Sequence, residues 1–163
     1  MRDSPAILLR AMLMAAIVQV ALISGAPAGP PEDAAAAYAS RDYATALRLY
    51  RSLADQGDAV AQFTLGTMYT NGQGMPPDNV AAAKFYRLAA EQGHAKAQDY
   101  LGVMYVGGWG VPKDDVLAYM WFNLSAAQDD TEAGESRDIL SKHMTPGQIA
   151  EAQKPAREWK PKH

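Results

Sequence analysis

Three histidines, a scatter of serines and no cysteine are what this 163-residue chain offers as ligands or nucleophiles. Without cysteine there is no thiolate ligand, no disulfide framework and no cysteine nucleophile. His94, His143 and His163 have no second imidazole at ligand spacing, so no metal site is expected. Residues 29–163 contain neither Gly-x-Ser-x-Gly nor Ser-x-x-Lys, which leaves serine hydrolysis without its motif. Gly72-Gln73-Gly74 and Gly108-Trp109-Gly110 resemble pieces of phosphate loops, but no strand pattern precedes them and no Lys-Ser/Thr follows, so they read as turns. No catalytic residue, metal ligand or cofactor is therefore assigned, and the chemistry expected is non-covalent binding.

Trp109 is the first binding candidate. It lies between two glycines, at a place where polar Gln73 stands 36 residues earlier, so packing does not require an aromatic there. An exposed indole carries a large contact area and is enriched at interface hot spots; the plain alternative is that it folds onto a neighbouring helix. Gln62, Thr67 and Thr70, with their counterparts Gln98, Val103 and Val106, fall off the apolar stripe of their helices and are candidates for a binding face, the plain alternative being ordinary helix surface. The replacement of two threonines by valines makes the second half of that face more apolar, which suits burial of a partner's side chains. Tyr119, Trp121 and Phe122 look like an aromatic platform for a sugar, yet Trp121 and Phe122 recur as Phe85 and Tyr86 one period earlier and read as core. Met104, Met120 and Met144 read as core filler.

The elements that must hold these residues repeat with a period of 36. Ala61, Leu65, Gly66, Met68, Tyr69, Gly72, Gly74, Pro76 and Asp78 recur as Ala97, Leu101, Gly102, Met104, Tyr105, Gly108, Gly110, Pro112 and Asp114. Within a unit, Ala61, Leu65, Met68 and Tyr69 have the i, i+4, i+7, i+8 spacing of one helix face, which must be buried. The two glycines and following prolines end that helix and turn the chain back, and Asp78 caps a second helix whose face carries Ala82, Phe85, Tyr86, Ala89 and Ala90. Asp58, His94 and Asp130 share the slot before each next first helix and are expected to be N-caps. Gly66 and Gly102 sit mid-helix, where each costs about 1 kcal/mol relative to alanine; close approach of the paired helix at Ala82 or Ala118 is the expected compensation. A single hairpin cannot cover its own apolar faces, so neighbours must stack.

Four hairpins are expected: an N-terminal one over 33–57, repeats over 58–93 and 94–130, and C-terminal capping helices over 131–159. In the last, Ser136-Arg137-Asp138 replaces Tyr100-Leu101-Gly102 and no Gly-x-Gly loop follows. Thr145-Pro146 should launch the final helix, and Pro155 should kink or stop it, leaving Ala156 to His163 frayed.

Composition agrees with an all-α reading: apolar residues make up 48% of the chain and alanine supplies 31 positions. The net charge of -3 gives no footprint for nucleic acid. Residues 1–28 have the features of a signal peptide: Arg2 and Arg10, an apolar run from Ala11 to Ile23 broken only by Gln19, and Ala26-Pro27-Ala28 as the cleavage site, with Ser24-Gly25-Ala26 as the alternative. The run is short for a membrane span, which needs about 20 apolar residues; a membrane is a partner only if this segment is retained.

The pattern Ala61-x3-Leu65-Gly66-x2-Tyr69-x2-Gly72-x-Gly74-x-Pro76-x-Asp78, followed by Ala82, Phe85-Tyr86 and Ala89-Ala90-Glu91-Gln92-Gly93, resembles the Sel-one-like repeat, a relative of the tetratricopeptide repeat. The resemblance runs from about residue 42 to residue 128. Met75 stands where the family usually has valine, and Asp129 where a glycine would end the third unit. It implies an α/α superhelical solenoid whose first helices line a concave face and hold protein partners. The expectation is thus a periplasmic, monomeric, non-catalytic scaffold that binds another protein or peptide of the cell envelope through Trp109 and its groove. The alternatives are a cell-wall polysaccharide binder using Trp109 and exposed tyrosines and, below it, a hydrolase of unrecognised type.

Overall fold

The computed structural model of the chain describes residues 30–162. Residues 1–28, read above as a signal peptide, lie outside them. Eight helices run through the described residues: α1 Pro31–Ala39, α2 Tyr43–Asp55, α3 Ala59–Asn71, α4 Asn79–Glu91, α5 Ala95–Gly107, α6 Asp115–Ala126, α7 Thr131–Ser141 and α8 Pro146–Glu158. They pack as consecutive hairpins, α1 with α2, α3 with α4 and α5 with α6, each also resting on the next, and α8 lies against α6. No helix among them is long and apolar enough to cross a membrane.

The caps explain the boundaries. The side chains of Asp42, Asp58, Asp78, Asp114 and Asp130 each accept a backbone N–H of the helix they precede, and His94 does the same through Nδ1, 3.2 Å from the Ala97 nitrogen. Such caps satisfy donors that the first helical turn otherwise leaves unpaired. At the other end of α3 and α5, Gly72 and Gly108 take left-handed conformations, with φ of 66° and 67°, which close the helix before the proline-containing loops.

Gly66 and Gly102 do allow close approach of the paired helix, and the atoms nearest to them belong to rings one turn beyond Ala82 and Ala118. A Cβ on Gly66 would stand 2.6 Å from the Tyr86 ring, and one on Gly102 would stand 2.6 Å from the Phe122 ring. The helix crossing is therefore built around a flat ring laid on a glycine. The burial of Tyr86 and Phe122 compensates the helix cost of glycine.

The end of the chain also differs from expectation. α8 continues through Pro155 to Glu158, because Ala152 and Ala156 on its inner face are buried in the core. That packing outweighs the roughly 3 kcal/mol that proline costs inside a helix. Beyond α8 the chain is strapped down: the Lys162 amide donates to the Glu91 carbonyl at 2.8 Å, and its Nζ meets the Glu91 carboxylate at 2.8 Å. Trp159 and Pro161 lie over Gly93.

Candidate partner-binding site

Three of the residues singled out in the sequence meet at one place. Val103 and Val106 on α5 and Trp109 in the following loop line one wall of a pocket of about 420 Å³. Ser136, Ile139 and Leu140 on α7, with His143 just beyond it, make the other wall, and Phe122 of α6 is at the floor. Trp109 is 54% exposed and Ile139 60%, and both valines are exposed as well, so large apolar surface faces solvent here. The Trp109 ring lies over Gly107, where a Cβ would come within 2.7 Å of it. It thus both touches its own helix end and offers its outer face to solvent. No carboxylate, lysine or arginine lines the pocket.

Gln62 and Gln98 are not groove residues. Both are buried, Gln98 completely, and both act as clips between hairpins. Gln62 Nε2 donates to the Ala54 carbonyl at 3.3 Å, while Gln92 Nε2 donates to Gln62 Oε1 at 2.8 Å. One unit later Gln98 donates to the Ala90 carbonyl at 3.1 Å and receives Gln128 Nε2 at 2.8 Å. The reason is geometric: the Ala54 and Ala90 carbonyls already accept the Gly57 and Gly93 amides at 3.0 Å, and a glutamine on the next first helix reaches the second lone pair of each.

Thr67 and Thr70 lie one unit before the two valines, in a crevice that is filled. Tyr86, the counterpart of Phe122, brings its hydroxyl to 3.3 Å from both threonine hydroxyls. Burial pushes the Tyr86 phenol up, so it stays a protonated donor. Tyr100 packs its ring against Tyr86 at 5.3 Å and against Phe63 at 5.6 Å, and Phe63 stacks on His94 at 4.7 Å. Burial holds His94 below the usual histidine range. Gln73, in the slot of Trp109, accepts the Tyr38 hydroxyl at 3.0 Å and donates toward the Tyr43 hydroxyl at 3.3 Å.

One period on, each filling group is exchanged. Ser136 stands for Tyr100, Asp99 for Phe63 and Asp130 for His94. Asp99 is buried with Oδ1 unpartnered. Burial, with the Asp130 charge beside it, pushes its carboxyl up to about 6. Burial also raises Asp130, but Lys96 at 3.2 Å, the Ala133 amide and Ser125 outweigh this and hold it below the ordinary carboxylate range. Among the described residues no three His, Asp or Glu side chains come together as a metal site.

The four α7-side residues, Ser136, Ile139, Leu140 and His143, escape a reading based on α5 alone. The replacement of Tyr100 by Ser136 was the available signal: a missing ring leaves a hole.

The Sel1 repeat pattern matches residues 29–58, 59–94 and 95–130. The chain belongs to the Sel1 repeat family. Such repeats generally mediate protein interactions and are typically non-catalytic. Among solved structures, this Sel1 repeat chain is similar to a protective antigen of SLR fold present in uropathogenic Escherichia coli strains, with 32% identity and a TM-score of 0.74, over 77% of this chain and 28% of that one. It is also similar to a Sel1 repeat protein from Oxalobacter formigenes, with 31% identity and a TM-score of 0.63, over 66% of this chain and 44% of that one. The chain therefore spans less than half the length of either. No curated protein matches it in sequence.

Proposed function

We propose that this Sel1 repeat chain is a non-catalytic adaptor of the bacterial envelope, which holds a protein or peptide partner in the groove between α5 and α7. One observation carries the reading: side chains from two successive first helices and their loop, Val103, Val106, Trp109 and Ile139, surround an open apolar pocket instead of closing it. Exposed large apolar groups cost solubility, and clustered around a cavity they fit a partner's desolvated anchor. Affinity then depends on a few buried contacts more than on total area. The envelope location rests on the signal-like features of residues 1–28. With those residues removed, 13 basic side chains face 17 acidic ones, a net charge of -4 that favours a neutral to basic partner.

A photo-crosslinking residue placed at Val106 or Ile139 in the native cell should form a discrete adduct, and one at Lys84 on α4 should not. Trp109→Ala should reduce the adduct at least about tenfold, the range of an interface hot spot, with helicity and melting temperature unchanged. Equal adducts from all three positions, or a marked fall in melting temperature for Trp109→Ala, would defeat the reading.

A further inference from the structure

We infer that the occupant of the α5/α7 pocket is an aromatic side chain of the partner, taking the place that Tyr100 takes one repeat earlier. The inference rests on the docking reading above and adds the chemistry of the anchor. Its ground is an internal precedent. At the α3/α5 crevice the ring that lies on a glycine, Tyr86, is covered by a second ring, Tyr100, from the next first helix. At the α5/α7 crevice Phe122 lies on Gly102 in the same way, but the residue of α7 that should cover it is Ser136. The backbone slot is retained and its ring is absent.

Two further observations narrow the occupant. The lining has no Asp, Glu, Lys or Arg, so an uncharged group enters without leaving an unpaired charge behind, and a charged one does not. Tyr86 needs polar partners and has Thr67 and Thr70; Phe122 needs none and faces Val103 and Val106 instead. The floor and near wall are thus apolar, and the outer wall is the indole of Trp109. A flat apolar ring entering beside Ser136 meets Phe122 below and Trp109 at the mouth. The volume of about 420 Å³ falls within the roughly 300–1,000 Å³ of small-ligand sites and leaves room for the ring with its flanking backbone.

The test uses the full-length chain and three small probes, N-acetyl-phenylalaninamide, N-acetyl-leucinamide and N-acetyl-lysinamide, titrated while amide, methyl and indole NMR signals are followed. Saturable shifts should gather at Val103, Val106, Trp109 and Ile139. The phenylalanine probe should bind about three- to tenfold tighter than the leucine probe, the range of an aromatic pair beyond its area, and the lysine probe should give no saturation. Ser136→Tyr should abolish the shifts by supplying the ring from within, whereas Ser136→Ala should keep them. Should the tyrosine variant fold poorly, Val106→Glu, at an exposed position, provides a second way to block the mouth. Equal binding of the leucine and phenylalanine probes would overturn the aromatic assignment while leaving a docking groove in place. Absence of site-specific shifts with all three would overturn it too, and the crosslinks from Val106 and Ile139 would then judge the docking reading separately.

Discussion

The crevice between α3 and α5 and the crevice between α5 and α7 occupy equivalent places in successive repeats, and they are finished in opposite ways. The first is filled by His94, Phe63, Tyr100 and Tyr86, with threonine hydroxyls meeting the phenol. The second has Asp130, Asp99, Ser136 and Phe122 in those slots, valines in place of threonines, and a pocket where the first has a ring. The backbone does not distinguish the two: the same glycine, the same cap geometry and the same glutamine clip recur in both. Whether a crevice becomes packed core or open pocket is thus decided by a few side chains on a common frame. A solenoid can place a binding surface at one junction without disturbing the next because each unit contacts only its neighbours.

Removing the ring from the filled junction should give the largest effect. Tyr86→Ala takes away a side chain that is almost fully buried and leaves a cavity over Gly66, so unfolding by urea should show a loss of about 3–5 kcal/mol. Converting the hollow junction towards its neighbour in one atom is the next test. Phe122→Tyr places a hydroxyl against Val103 and Val106 without the threonines that receive it at Tyr86, at a cost of about 1–3 kcal/mol. The double exchange of both valines for threonine in that variant should recover most of the loss.

The acid pair gives a third, pH-dependent contrast. Asp99 has a folded-state pKa raised to about 6 from 3.8, so in that interval the native state binds the extra proton and stability falls as pH rises. His94, whose pKa is lowered, acts with the opposite sign by resisting protonation as pH falls. The comparison of Asp99→Asn with wild type cancels the histidine and isolates the carboxyl. At pH 7.5 the variant should be more stable by about 1–2 kcal/mol, a figure reduced for solvent screening. That gap should close progressively between pH 6 and pH 4, and a gap that stays constant across the range would contradict the assignment. Smallest of all is the turn ending the third unit. Asp129 has φ of 65° where Gly57 and Gly93 end the earlier ones in the same left-handed region. Asp129→Gly should therefore raise stability by up to about 1 kcal/mol in the same urea assay.

Much of this architecture was legible as spacing. Asp58, His94 and Asp130 follow the period and cap their helices; Trp121 and Phe122 stand in core slots and are buried. Val103 and Val106 read as candidates for a binding face and Trp109 as a loop anchor, and the three line one pocket. Gln62 and Gln98 read as surface residues in the sequence but are buried, because polarity alone does not tell solvent from the free lone pair of a carbonyl on another helix. Pro155 reads as a stop from its local cost, which the burial of Ala152 and Ala156 in the core outweighs.

The 36-residue period, the capping residues and the glycine-proline turns determined where each helix starts, stops and reverses, since all are satisfied within a few neighbours along the chain. What covers a glycine, which glutamine bridges two helices, and which crevice is left open were decided only by tertiary structure. Those outcomes depend on side chains of different helices, such as Gly66 with Tyr86 or Gln62 with Gln92, meeting face to face, and a hole is a property of the space between elements, belonging to no residue in particular.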